Sequence, residues 1–252
     1  MTLVGVQLQP QHCSIDDLRA AWKAADAAGL DSIWTWDHFF PLFGEPDGNH
    51  FEGWSLLAAM AADTTDAKIG LLVSCNSYRN PEMAADMTRT IDQISGGRTY
   101  FGIGAGWFER DYDEYGYTFG TAGDRLSDLR DALPRIKARL DALVPGPAGD
   151  LPILIGGGGE KRTLKYTAQF ADAHNTFGPP EHFARKMQVL DEWCEKVERD
   201  PSEIERTVAI DSSAEQAAWV DDLIAAGADH IIVMTPAPFD LDPALELKAR
   251  IG

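Results

Sequence analysis

Short apolar runs alternate with amphipathic stretches along most of the chain. Residues 3–8 read as a first strand and 15–28 as a helix, with Leu18, Trp22 and Ala25 at helical spacing behind a Ser14 cap. Strand 32–36, helix 53–63 and strand 68–74 follow. Asn80-Pro81 then opens helix 82–94, which stops at Gly96-Gly97 before strand 99–103. The second half continues with helix 124–143, strand 152–155, helix 161–170, strand 173–176 and helix 181–199. Strand 207–210, helix 214–226, strand 230–234 and a short closing helix over 243–251 complete the pattern.

Eight strands, each followed by a helical stretch, predict a parallel α/β sheet. Counting alone leaves open whether the sheet is doubly wound or closed. The 252 residues match the ~250 that one (β/α)8 barrel requires. Residues 1–252 are therefore read as a single domain, with the Pro/Gly-rich stretches 145–150 and 176–180 as loops inside it.

Composition narrows the function classes. No apolar run approaches the ~20 residues of a membrane span, and the chain does not start with a basic-then-apolar leader. A cytoplasmic protein without a membrane partner is expected. Forty acidic against 22 basic residues give a net charge of −18, which repels nucleic acid. An anionic cofactor would need local cations and backbone amides. Three well-separated cysteines, Cys13, Cys75 and Cys194, predict neither a disulfide framework nor a metal site.

In parallel α/β folds, ligands bind where the carboxyl ends of the strands meet the following loops. There the sequence places Asp37-His38, Ser74-Cys75-Asn76, Gly104-Ala105-Gly106-Trp107 through Glu109, and Gly156-Gly157-Gly158-Gly159 followed by Lys161 and Arg162. Gly102, Gly104 and Gly106 alternate onto one strand face, a bare strip that admits either a flat ligand or a closely crossing strand. Four glycines ahead of a helix form an anion cradle, to which Lys161 and Arg162 add charge; a flexible loop is the plainer alternative. His38 can exchange a proton near neutral pH, or it can be a structural histidine. Its neighbour Asp37 points to the opposite face of the strand and so does not orient it. Glu109 is a second candidate for proton transfer, and Phe39, Phe40 and Trp107 are candidate walls for a planar ring.

Four stretches together resemble the luciferase-like monooxygenase family, in particular its branch of coenzyme F420-dependent oxidoreductases. They are Gly29-Leu30-Asp31-Ser32-Ile33-Trp34 through His38, Ser74 through Pro81, Gly97-Arg98 through Trp107, and Ile155 through Leu164. The resemblance implies a (β/α)8 TIM barrel with shortened insertions, a homodimer, and F420 (alternatively FMN) as cofactor. It implies a ring flanked by residues 104–107, a phosphate on the glycine loop with Lys161 and Arg162, and a non-prolyl cis peptide at Ser74-Cys75. His38 would serve as base and Glu109, two residues beyond the nearest family match, as acid. The reaction so implied is hydride transfer between F420 and a small organic substrate. The alternatives are an FMN-dependent monooxygenase, a non-catalytic cofactor binder and a phosphate-binding lyase.

Overall fold

The computed structural model describes residues 2–252 as a closed parallel barrel ringed by helices. Strands β1 (Leu3–Leu8), β2 (Ser32–Thr35), β3 (Lys68–Leu71), β4 (Ser74–Cys75) and β5 (Thr99–Gly104) come from the first half. Strands β6 (Ile153–Gly156), β7 (Ala173–Phe177), β8 (Glu205–Asp211) and β9 (His230–Thr235) complete the sheet. The hydrogen-bonded order is β3-β2-β1-β9-β8-β7-β6-β5, and β3 pairs back onto β5 through Ile69–Thr99 and Gly70–Tyr100, which closes the ring. This settles the choice between open sheet and barrel.

The third barrel strand differs from the continuous 68–74 expected from its apolar pattern. It is interrupted at Leu72-Val73, which carries the non-prolyl cis peptide, and β4 resumes it beside β5 through Ser74–Ile103 and Cys75–Gly104. The cis bond therefore lies two residues before Ser74-Cys75. The interruption also explains the glycine strip. A Cβ on Gly102 would collide with the Leu71 carbonyl, and one on Gly104 would stand 2.9 Å from a Val73 methyl. The flat object lying against the strip is the protein's own third strand.

The barrel is packed, not hollow. Trp34 is fully buried among Leu72, Tyr100, Leu154, Ala173, Ala209 and Ile232. Gly70 makes room for it, since a Cβ there would lie 2.6 Å from the indole. At the amino ends of the strands, Ser32 contacts His230 at 2.8 Å, and Glu205 joins His230 at 2.8 Å to Tyr100 at 2.7 Å. The interior thus ends in a satisfied polar layer below, leaving the opposite face for ligands.

Helices α1 (Ile15–Ala27), α2 (Gly53–Asp63) and α3 (Pro81–Ser95) cover the first half as expected. Ser14 caps α1 by accepting from the Asp17 amide, and Asn80 with Pro81 opens α3. Beyond β5 the structure has a seven-residue helix that the pattern did not predict, α4 (Glu109–Tyr115), before α5 (Ala122–Ala142). Helix α6 (Thr163–Phe170) starts two residues later than expected, and α7 (Pro180–Lys196) follows β7. The stretch 214–226 divides into α8 (Ala214–Ala217) and α9 (Val220–Ala225), and α10 (Asp242–Ile251) ends the chain. No described helix is long and apolar enough to cross a membrane.

Candidate active site

Two cavities, of about 630 and 420 Å³, lie on the barrel's flanks. One runs between α1 and residues 237–241, the other between α8, α9 and α10, and neither borders His38. The candidate site is set instead by the chemistry at the carboxyl ends of the strands.

His38 follows β2 and is 9 % exposed. Its Nδ1 lies 2.7 Å from Oδ2 of Asp111, a fully buried carboxylate on α4. Asp111 also accepts from the Tyr78 hydroxyl at 2.8 Å and from the Phe39 amide at 3.1 Å. Burial, reinforced by Cys75 and Asp111, raises the Tyr78 phenol above its ordinary range, so it acts only as a donor. With its proton on Nδ1 toward the carboxylate, His38 keeps Nε2 as a free acceptor. Trp36, Trp107 and Phe108 surround the imidazole with ring centroids 5.5–6.2 Å away, all in edge-on arrangement. Trp107 is 63 % exposed and lies at the rim.

Asp37, two residues past the end of β2, engages a different set of partners from His38 and is fully buried. It accepts from both guanidinium nitrogens of Arg79 at 2.6 and 3.0 Å, from the Ser74 hydroxyl at 3.0 Å and from the Cys75 amide at 3.1 Å. Its geometry serves the protein: it pins the resumed third strand rather than facing a ligand. Asn76 opens a short 3-10 turn, Asn76–Tyr78, that carries Tyr78 toward Asp111. Cys75 is buried with Sγ 3.2 Å from the Tyr112 hydroxyl, and burial raises its thiol pKa. Gly106 adopts φ +84°, and any Cβ there would collide with Tyr112 and crowd Cys75, so glycine is required.

Glu109 is the first residue of α4, exposed, and is not the partner of His38. The carboxylate that reaches His38 comes two residues later, from Asp111. Ala105 and Gly106 form the turn between β5 and the exposed Trp107.

Across the barrel, Gly156 ends β6 and residues 157–159 form an open loop after it. The Gly157 amide donates to the Asn175 carbonyl at 2.9 Å. A Cβ on Gly158 would stand 3.2 Å from the Thr176 hydroxyl and 3.4 Å from Lys186 Cε, and one on Gly159 would stand 2.7 Å from the Thr163 hydroxyl. Hydroxyls and a cation thus converge on a loop kept clear of side chains. Lys161 and Arg162 precede the helix instead of opening it, and Arg162 turns away to the Gly123 carbonyl at 2.7 Å. The pattern missed Lys186 of α7, which lies 2.9 Å from Glu160, with Arg185 at 3.2 Å. The two cations hold the Glu160 carboxyl below its usual range.

The chain belongs to the luciferase-like monooxygenase family, whose profile matches residues 1–233. It is 26 % identical over 251 residues to 5,10-methylenetetrahydromethanopterin reductase of Methanolobus tindarius, covering 91 % of this chain and 72 % of the relative. It is 26 % identical over 232 residues to F420-dependent glucose-6-phosphate dehydrogenase of Amycolatopsis mediterranei, covering 83 % and 68 %. Among solved structures, an F420-dependent secondary alcohol dehydrogenase in complex with an F420-acetone adduct superposes with a TM-score of 0.87. That match, at 16 % identity, covers 100 % of this chain and 98 % of the other, and it supports the fold.

Proposed function

We propose that this protein is an oxidoreductase that moves a hydride between coenzyme F420 and a small organic substrate, with His38 exchanging the substrate proton. The observation that carries the reading is His38 itself: Nδ1 held by a buried carboxylate, Nε2 free, at the ligand-binding face of the barrel. Two relatives named for F420 or for a reductase activity match most of the chain and support the cofactor class.

The residues present fit such a cofactor. The glycine loop with Thr163, Thr176 and Lys186 offers space, hydroxyl donors and a cation for a phosphate. Val73, part-exposed beside Gly104 and Gly156, offers an apolar floor for a flat ring. The bound deazaflavin would supply the two-electron hydride chemistry. Asp111 fixes the imidazole tautomer and stabilises the positive charge that His38 gains on taking a proton. Tyr78 and the Phe39 amide hold Asp111 in place. Trp36, Trp107 and Phe108 shield the imidazole from bulk water. A homodimer accompanies this reading by family resemblance.

Titrating the purified protein with F420 and, separately, FMN while following cofactor fluorescence tests the assignment. Micromolar F420 affinity is expected. Micromolar FMN affinity without F420 binding refutes it in favour of flavin-dependent oxygen chemistry, and no affinity for either ring favours the lyase.

A further inference from the structure

The glycine loop after β6 carries a carboxylate of its own, and that carboxylate bears on which phosphate the loop accepts. Glu160 follows the last glycine, and its carbonyl is anchored by the Trp193 indole at 2.8 Å. Its carboxylate meets Lys186 at 2.9 Å and Arg185 at 3.2 Å. Lys186 is also the cation whose Cε stands against the bare backbone of Gly158, so an anion seated there shares Lys186 with Glu160. The Lys186 side chain is 12 % exposed, which confines it to these two neighbours. Held by both cations below its usual range, the Glu160 carboxyl is ionised at neutral pH. For an anion cradle such a fixed negative charge is a cost, because it takes up positive charge that the ligand would otherwise meet.

The local charges can be weighed against one another. Lys161 is exposed ahead of α6, and Arg185 and Lys186 belong to α7. Against these three cations stand Glu160 and, in the first turn of α7, Glu181. Arg162 turns away to the Gly123 carbonyl, and Lys165 lies over the Trp193 ring. Thr163 and Thr176 add neutral hydroxyls, and the His182 imidazole stands near Gly158. Three cations against two carboxylates leave an excess of one positive charge, which matches a phosphodiester. A phosphomonoester carries about 1.5 to 2 negative charges near pH 7, because its second proton leaves at about pH 6. The additional charge would be desolvated in the cradle without a cation of its own.

We infer that Glu160 is a specificity-determining residue: by sharing Lys186 and Arg185, it sets the cradle for a singly charged phosphodiester and against a phosphomonoester. The inference rests on the cofactor reading above and sharpens it. The phosphate of F420 is a diester and that of FMN a monoester, so the choice between them is made at the phosphate as well as at the ring.

The test uses the full chain and reads binding, not turnover. Fluorescence titration compares F420 with the 5′-phosphate monoester of the same deazaflavin, which keeps the ring and changes the phosphate. Phosphorus-31 NMR compares dimethyl phosphate with methyl phosphate, which reads the cradle with no ring present. At about pH 7.5 the wild type should prefer the diester at least about tenfold in both pairs. Glu160→Gln, with its melting temperature little changed, should raise affinity for the monoester about fivefold more than for the diester, the worth of one ligand charge at this range. Glu160→Asp, which keeps the charge, should retain most of the wild-type preference. At about pH 5.5 the monoester is protonated, so its wild-type affinity should rise toward that of the diester. Protonation of His182 favours both ligands and cancels in their ratio. F420 binding with equal affinity for monoester and diester, or a preference that Glu160→Gln leaves unchanged, overturns the inference alone. A Glu160-dependent preference for dimethyl phosphate without F420 affinity overturns the cofactor reading instead and supports the inference.

Discussion

Replacing Asp111 by Asn is the sharpest test of how His38 is held. The carboxylate accepts three hydrogen bonds, from His38 Nδ1 at 2.7 Å, the Tyr78 hydroxyl at 2.8 Å and the Phe39 amide at 3.1 Å, with no exposure to water. An amide keeps the volume but has one accepting oxygen and one donating nitrogen. His38 and Tyr78 share Oδ2, whereas the Phe39 amide, which can only donate, uses Oδ1. With the oxygen kept on Phe39, the NH₂ takes the Oδ2 place and faces both His38 Nδ1 and the Tyr78 hydroxyl, which must then accept. The proton moves to Nε2, and the imidazole presents a donor where the reaction needs an acceptor. General-base catalysis contributes about 10²–10⁴-fold, so kcat for F420-linked substrate oxidation should fall by roughly that factor. KM should change only a few-fold, since the carboxylate does not face the substrate. Reversing these two buried hydrogen bonds should lower stability by about 1–3 kcal/mol, leaving the protein folded. Nitrogen-15 shifts of the imidazole read the tautomer directly. The wild type should show a protonated Nδ1 and Asp111→Asn a protonated Nε2. A variant with kcat within threefold of wild type, or a wild type already protonated at Nε2, refutes the reasoning.

Three further changes test separate parts of the structure. Asp37→Ala leaves Arg79 facing a buried void with only Glu52 as partner, and it should cost about 3–5 kcal/mol in urea unfolding, with faster hydrogen exchange at the Cys75 amide. Lys186→Ala should weaken F420 binding about tenfold and flatten its salt dependence, with the melting temperature little changed. His174 is completely buried, and burial lowers its pKa from an ordinary 6.5 to about 4. The unfolded chain therefore takes up a proton that the folded protein refuses between those values. Stability from this group is full above pH 6.5 and falls as pH drops, by ~1.4 kcal/mol per pH unit. Between pH 7 and 4.5 the wild type should lose about 2–3 kcal/mol more than His174→Gln, measured by urea unfolding at both values.

The parts of this protein that the pattern disclosed are those whose burial is periodic. All eight barrel strands lie within about two residues of their apolar runs, because a parallel strand buried on both faces must be apolar nearly throughout. The interruption at Leu72-Val73 left no such trace, since Leu71-Leu72-Val73 reads as uninterrupted strand. Its mark was on the neighbour, in Gly102 and Gly104, whose missing side chains make room for it. Helix α4 was hidden for the opposite reason. Glu-Arg-Asp-Tyr-Asp-Glu-Tyr has almost no apolar face, and only Gly116 in left-handed conformation signals its end. Asp111, the residue that holds His38 across 73 positions of sequence, was hidden with it. Net charge misled in a similar way. A total of −18 says that anions are repelled on average, yet Lys161, Arg185 and Lys186 gather near the glycine loop, the last two sharing the single carboxylate of Glu160, while Arg79 and Arg110 near His38 each meet carboxylates of their own. Recognition at this barrel mouth depends on how cations and carboxylates balance locally, and that balance is set by contacts between distant segments that a residue count does not contain.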